Sequence, residues 1–107
     1  MIYRHGKIYK IVNSVNNKVY IGSTTDSLDQ RFWVHQAYAE RKPKRRLYQE
    51  MNRLGHNKFR IVLIKNFPCS SHKALQQEER KYFLKYKPEL NTNYPLALNN
   101  KTKVKIY

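Results

Sequence analysis

Residues 7–24 read KIYKIVNSVNNKVYIGST. Two short runs rich in β-branched and aromatic residues, KIYKIV and KVYIG, stand on either side of an Asn-rich turn. Each run carries a tyrosine near its middle, Tyr9 and Tyr20. The pattern predicts a β-hairpin with strands over about Lys7–Val12 and Lys18–Gly22. Asn16 and Asn17 supply residues that tolerate positive φ at the turn. With Ser14-Val15 at the loop centre, Tyr9 faces Tyr20 directly. A turn centred on Asn16-Asn17 shifts that pairing by several residues, so both registers stay open. Exposed hairpin tyrosines mostly pack or decorate a surface, and the hairpin alone names no chemistry.

Outward from the hairpin, STTDSLDQ reads as a loop and helix start. Ser27 with Gln30 three residues on fits a capping box, and Asp26 and Asp29 suit the helix dipole. A first helix is expected over about Leu28–Glu40, ended by the basic run RKPKRR at 41–46 with its Pro43. A second, about Leu47–Leu54, stops at Gly55. FRIVLIKNF at 59–67 predicts a third strand, aliphatic enough for the middle of a sheet. Pro68 ends it, Ser70 or Ser71 caps a third helix over about His72–Lys87, and Pro88 stops that helix. Met1–His5 reads as a frayed lead-in. The expected fold is a small α/β (α+β) domain: a three-stranded, mainly antiparallel sheet flanked by helices, in the order β-β-α-α-β-α. The domain is expected over 1–98, with a flexible basic tail at 99–107.

Composition sets the partner class. Twenty-two Lys and Arg stand against seven acids in 107 residues, a formal net charge of +15. Such a surplus repels itself unless a polyanion offsets it, nucleic acid first and an anionic membrane surface second. A merely solvated basic surface is the bland alternative. Hydrophobic content of 40% and a mean hydropathy of −0.86 are low, but apolar residues are spread along the chain and permit a core. The single Cys69 excludes an intrachain disulfide and agrees with a reducing, intracellular setting, cytoplasm or nucleoid. Nothing reads as a signal peptide, and the IVLI run at 61–64 is far too short to span a bilayer, so no membrane partner is expected. Abundant Lys, Asn, Ile and Tyr hint at an AT-rich coding sequence, such as that of a phage or virus.

Two helices carry the candidate chemistry. Arg31 and His35 lie four apart on one face of the first helix, with Tyr38 and Lys42 along the same side and Leu28, Phe32 and Trp33 as the packing stripe. For an Arg–His pair alone a solvated polar face is the commoner reading. An arginine fixed beside two tyrosines, however, offers a planar fork to a phosphate. In the third helix Leu75, Glu79, Tyr82, Phe83 and Tyr86 form one stripe, while Glu78 falls with Ala74, Lys81 and Lys85 on a more polar side. Glu79 is thus a carboxylate on an apolar face, where it needs an ion pair, with Arg31 as the candidate partner, or a bound cation.

These residues resemble the GIY-YIG nucleases, a family that includes intron homing endonucleases, some restriction enzymes and an incision domain of bacterial excision repair. The first motif matches Lys7-Ile8-Tyr9 and the second Tyr20-Ile21-Gly22. The helix motif, Arg, an aromatic and then His at the fourth position, is met by Arg31, Phe32 and His35. RLGHNKFRIVLIKNF resembles the segment leading into the family's third strand. The family's glutamate falls on Glu79, three residues before Tyr82 and Phe83, and Lys87-Pro88-Glu89-Leu90-Asn91 resembles its closing element, with Asn91 preferred over Asn93. The likeness covers about residues 6–94. One departure stands out: the first motif's glycine is Lys7 here, with Gly6 just before it.

The resemblance implies Mg²⁺-dependent (or Mn²⁺-dependent) endonuclease chemistry on DNA with a single ion. It implies Glu79 as metal ligand, Arg31 as phosphate clamp, Tyr9 as proton acceptor from the attacking water, Tyr20 orienting it, and His35 and Asn91 as further members of the site. A phenol is an awkward base at neutral pH, so activity is expected to rise toward alkaline pH, with Arg31 and the surrounding charge favouring the phenolate. Arg41, Lys42, Lys44, Arg45 and Arg46 are expected to contact backbone phosphates outside the site, giving affinity without sequence choice. The expected partner is double-stranded or branched DNA, with RNA not excluded, bound by a monomer or a transient dimer. The alternative is a non-catalytic basic DNA/RNA-binding module on the same fold.

Overall fold

The computed structural model describes residues 3–92. In chain order the elements are β1 (Lys7–Asn13), β2 (Tyr20–Thr24), α1 (Leu28–Arg41), α2 (Arg46–Leu54), β3 (Phe59–Asn66) and α3 (His72–Tyr86), with a 3₁₀ turn at His56–Lys58 before β3. The expected β-β-α-α-β-α order holds. No helix among the described residues is long and apolar enough to cross a membrane.

Local signals explain the boundaries. Ser27 Oγ accepts from Gln30 N at 3.1 Å, and Ser71 Oγ accepts from Ala74 N at 3.1 Å, capping α1 and α3. Gly55, at φ 102°, closes α2, and Lys87, at φ 49°, ends α3 one residue before Pro88. The lead-in is not frayed at Tyr3, which forms an antiparallel bridge to Cys69 with backbone bonds of 3.0 and 3.1 Å. The tail at 99–107 lies outside the described residues.

The sheet corrects one expectation. Its order is β2-β1-β3, antiparallel throughout, so β1 and not β3 is central. The reason is two-sided burial. β1 sends Tyr9 and Ile11 into the cluster under α1 and α2, with Leu47, Tyr48, Met51 and Phe59. Ile8 goes to the other face, under α3, with Cys69 and Leu75. β3 is aliphatic but leaves Leu63, Arg60 and Lys65 exposed. In α1 the packing stripe keeps Leu28 and Phe32, whereas Trp33 stands 63% exposed.

The hairpin register is also settled. Tyr9 pairs with Gly22 and Ile11 with Tyr20, so the two tyrosines are diagonal neighbours and not directly opposed. Asn13 sets this register. Its Oδ1 accepts from Val15 N and Asn16 N, both at 2.8 Å, and Asn16 Oδ1 accepts from Lys18 N at 3.0 Å. The Tyr9 ring then crosses over Gly22, where an added Cβ would lie 2.5 Å from the Tyr9 hydroxyl and 2.9 Å from the Tyr20 ring. Gly6 meets a like constraint, since a Cβ there would run into the Phe67 carbonyl. The close backbone approach therefore falls at Gly6, and Lys7 is half-buried and free to carry a side chain.

Candidate active site

The site forms at the free edge of β2, where α1 and α3 reach it from opposite faces. From α1, Arg31 Nε donates to the Tyr9 hydroxyl at 3.1 Å. One turn on, His35 Nε2 lies 2.7 Å from the same hydroxyl, and His35 Nδ1 lies 2.9 Å from the hydroxyl of Tyr48 on α2. Donor counting fixes the proton positions. Tyr9 is fully buried and its O–H needs an acceptor, while Arg31 only donates. Tyr9 therefore donates to His35 Nε2, and His35 donates from Nδ1 to Tyr48. Tyr20 packs edge-on against His35, with centroids 5.1 Å apart, and lies 6.2 Å from the Tyr9 ring.

From α3, Glu79 takes a hydrogen bond of 2.5 Å from Ser23 Oγ. Ser23 follows Gly22 directly, and strand alternation turns it toward α3 while Tyr20 and Gly22 face α1. Glu79 thus sits across the edge strand from the tyrosines, close enough that its charge raises the pKa of both. Among the described residues it forms no ion pair, so the expected pairing with Arg31 is absent. The carboxylate that does pair is Glu78. It shares the more polar side with Lys81, as expected, at 2.9 Å, but is buried there, with Lys65 of β3 also 2.9 Å away.

Burial dominates the electrostatics. Tyr9 is pushed up to about 12 chiefly by desolvation, with Arg31 pulling the other way and losing. Arg31 does favour the phenolate, as expected, but its pull is smaller than the opposing effect of burial. Tyr20 is raised well above its ordinary value for the same reason. His35 falls to about 3 through burial and then the Arg31 charge, and is a neutral imidazole at physiological pH. Burial works against the charge of Arg31 as well, yet Tyr9 and Tyr20 beside it hold its pKa above the usual value. Glu79 is raised to about 7 by burial, with Ser23 and Arg31 offsetting part of the rise.

Asn91 is tied to the strand that carries Tyr20. It is buried, its Oδ1 accepts from Ile21 N at 2.9 Å and its Nδ2 donates to Ile21 O at 2.8 Å. Both polar atoms of its amide bond the β2 backbone, so Asn91 substitutes for a neighbouring strand and holds this edge in place. Asn93 lies outside the described residues. The basic run joins α1 to α2 beside the site. Arg41 and Lys42 lie over the Tyr38 ring at 5.6 and 5.2 Å, Lys44 is exposed, and Arg46 N donates to Thr92 Oγ1 at 2.9 Å. Arg45, at the N-terminus of α2, lowers the Tyr48 hydroxyl, although burial leaves that group raised.

Sequence reasoning missed Tyr48 and Ser23. In α2 the spacing Leu47, Tyr48, Met51, Leu54 marks an inward face, and a hydroxyl on such a face needs a partner.

The family model for the GIY-YIG catalytic domain matches residues 5–94. Two proteins of Invertebrate iridescent virus 6 are similar. One is an uncharacterized protein, 019R, 38% identical over 87 residues, which are 81% of this chain and 31% of that one. The other is the putative MSV199 domain-containing protein 146R, 40% identical over 83 residues, 78% of this chain and 34% of that one. The chain therefore spans about a third of the length of these relatives. Among solved structures it resembles the catalytic domain of the homing endonuclease I-TevI, with a TM-score of 0.68 and 25% identity over 87% of this chain and 99% of that one. A Glu-to-Ala mutant of the I-TevI domain gives a TM-score of 0.69 and 26% identity over 86% and 93% of the two chains. The chain belongs to the GIY-YIG family and carries its catalytic domain over residues 5–94.

Proposed function

We propose that this domain is an endonuclease that hydrolyses DNA phosphodiester bonds, with one divalent ion, Mg²⁺ or Mn²⁺, held by Glu79. The observation that carries the reading is the convergence at β2: Arg31, Tyr9, Tyr20 and His35 on one side of the edge strand and Glu79 on the other. A carboxylate burdened by burial and lacking an ion pair among the described residues fits a cation. A single carboxylate also suits Mg²⁺, which keeps most of its waters. When bound there, such an ion supplies positive charge to the scissile phosphate and the departing 3′ oxygen.

The chain's own residues supply the rest. Arg31 spends its Nε on Tyr9 and keeps its terminal nitrogens for a non-bridging phosphate oxygen. Tyr9 is the base, and magnitudes decide the route of its proton. Burial pushes Tyr9 up to about 12 and His35 down to about 3, so moving the proton onto His35 is the steeper route and releasing it to solvent the easier one. His35 therefore orients the Tyr9 hydroxyl and does not take its proton, while Tyr48 fixes the tautomer. Tyr20 completes the wall against which the attacking water is held. One site makes one cut per engagement, so a double-strand break takes a second engagement or a transient second copy. The viral relatives suit a virus-encoded intracellular role.

The test is cleavage of duplex, branched and single-stranded DNA and of RNA with Mg²⁺, beside Glu79→Ala, Arg31→Ala and Tyr9→Phe. We expect each variant to fall by about a hundredfold or more. A wild type that cuts no better than its variants removes the enzyme reading. Salt-sensitive binding indifferent to Mg²⁺ and Glu79 is then what remains, as for a binding module.

A further inference from the structure

α3 covers only part of its face of the sheet. Its apolar side closes over Ile8 through Leu75, Tyr82 and their neighbours, and the helix ends at Tyr86. Lys10, the next β1 residue on that face, marks the boundary with its Nζ 5.5 Å from the Tyr86 ring centre. Beyond it lies a groove of about 400 Å³ with Val12, Val19 and Val62 among its lining. Lys10, Arg60 and Lys18 stand around these valines, and the Asn13–Asn17 turn closes one end.

The charge in this groove is one-sided. Among the described residues no carboxylate lines it. Glu50 sits behind Lys18 at 3.7 Å but is already shared with Arg53 at 2.9 Å. Lys10 pairs in register with Val62, and Arg60 with Val12, so the two cations are diagonal cross-strand neighbours about 7–8 Å apart in backbone spacing. Arg60 has no acid or ring partner among the described residues. The turn is held by its own Asn13 and Asn16 bonds, so this end of the groove is formed before any ligand arrives. The groove is also separate from the catalytic edge. The Pro88–Asn91 segment lies between them, docked on β2 through Leu90 N to Val19 O at 3.1 Å and through Asn91 to Ile21.

We propose that this groove is a second, non-catalytic nucleic-acid site, which holds a phosphodiester backbone other than the one presented to Tyr9 and Arg31. Lys10 and Arg60 contact the phosphates, Lys18 adds to the field, and the valines pack against the sugar edge. The inference rests on the nucleic-acid partner proposed above and not on cleavage.

Binding of a fluorescent duplex, followed by anisotropy in EDTA between about 50 and 200 mM salt, separates the two. The pair Lys10→Gln/Arg60→Gln is compared with Arg4→Gln/Lys73→Gln, which removes two exposed charges elsewhere. The groove pair should flatten the log–log salt slope by about 2 and weaken low-salt binding by about tenfold, with the control pair close to wild type. Arg60→Gln alone, at an exposed position, keeps about half the slope change if the double variant misfolds. Equal shifts in both pairs, or a wild-type slope in the groove pair, overturn the proposal. So does loss of binding to a poly-glutamate peptide with DNA binding intact, which assigns the groove to an acidic protein. A wild type that binds DNA through the groove but never cuts it leaves this site standing and removes the nuclease.

Discussion

Glu78 and Glu79 are adjacent in α3, yet they sit in opposite chemical situations. Glu78 is the more covered of the two and the more comfortable: Lys65 from β3 and Lys81 from its own helix hold its carboxyl below the usual range. Glu79 faces the edge of β2, accepts one hydroxyl bond from Ser23, and is pushed up to about 7 by burial. A single step along the chain thus separates a carboxylate satisfied for structure from one left short of charge. The difference teaches that burial alone does not mark a functional acid. The informative sign is burial without a counter-ion, beside other groups whose chemistry needs one.

Exchanging the two by substitution breaks the comparison most directly. Glu79→Gln should lower cleavage by about a thousandfold, whereas Glu78→Gln should stay within about threefold of wild type. Stability should move the other way. The folded chain holds the Glu79 proton up to about 7 against an ordinary 4.5, so stability falls as pH rises through that window, by on the order of 3 kcal/mol. Glu79→Gln removes that penalty and should raise the melting temperature at pH 8. The folded pKa of Glu78 is depressed, so its contribution is present above 4.5 and is lost as pH falls through the folded value. Its lysine partners are exposed, so Glu78→Gln should cost only about 1 kcal/mol at pH 8. Urea denaturation and cleavage on the same samples check both halves. Two glutamines with the same pair of effects would erase the distinction.

The pH profile sharpens it further. A base near 12 gives a rate that climbs about tenfold per pH unit from about 7.5 to 9. At low divalent-ion concentration the slope should steepen below about 7, where Glu79 also gains its proton. Glu78 titrates below this range and should leave the profile unchanged when replaced. A single-turnover rate flat from pH 6 to 9 would remove Tyr9 as the base.

Much of this was legible in the chain itself. Ser27, Gly55, Ser71 and Pro88 punctuate the helices because caps and breakers act locally, and alternation announced the hairpin. Tyr9, Tyr20, Arg31 and Glu79 could be named because their spacing repeats a family pattern. The misreadings all concern what tertiary contact decides. β3 looked central by its aliphatic run, but centrality depends on which strand is covered on both faces, and only packing shows that β1 is. Helical periodicity put Glu78 on a polar side, yet Lys65 arrives from another strand to cover it. Asn91 is not among the misreadings: the family pattern places it at the site, and its two bonds to Ile21, invisible in the sequence, tie it to the β2 backbone.

The smallest expected effect tests the hydrogen bond from Ser23 to Glu79. Ser23 lowers the Glu79 pKa, so Ser23→Ala should push it higher still and leave less carboxylate ionised at neutral pH. A hydroxyl bond to a charged group at a partly open edge is worth about 1 kcal/mol, so cleavage at pH 7 should drop about fivefold. The loss should shrink when either pH or divalent-ion concentration is raised, since both restore the ionised form. Lys65→Gln, the matching change at Glu78, should alter neither rate nor its dependence on the ion. A structural role for Ser23 would lower stability and rate together without that rescue, and a wild-type rate at pH 7 would mean that Glu79 does not depend on the bond.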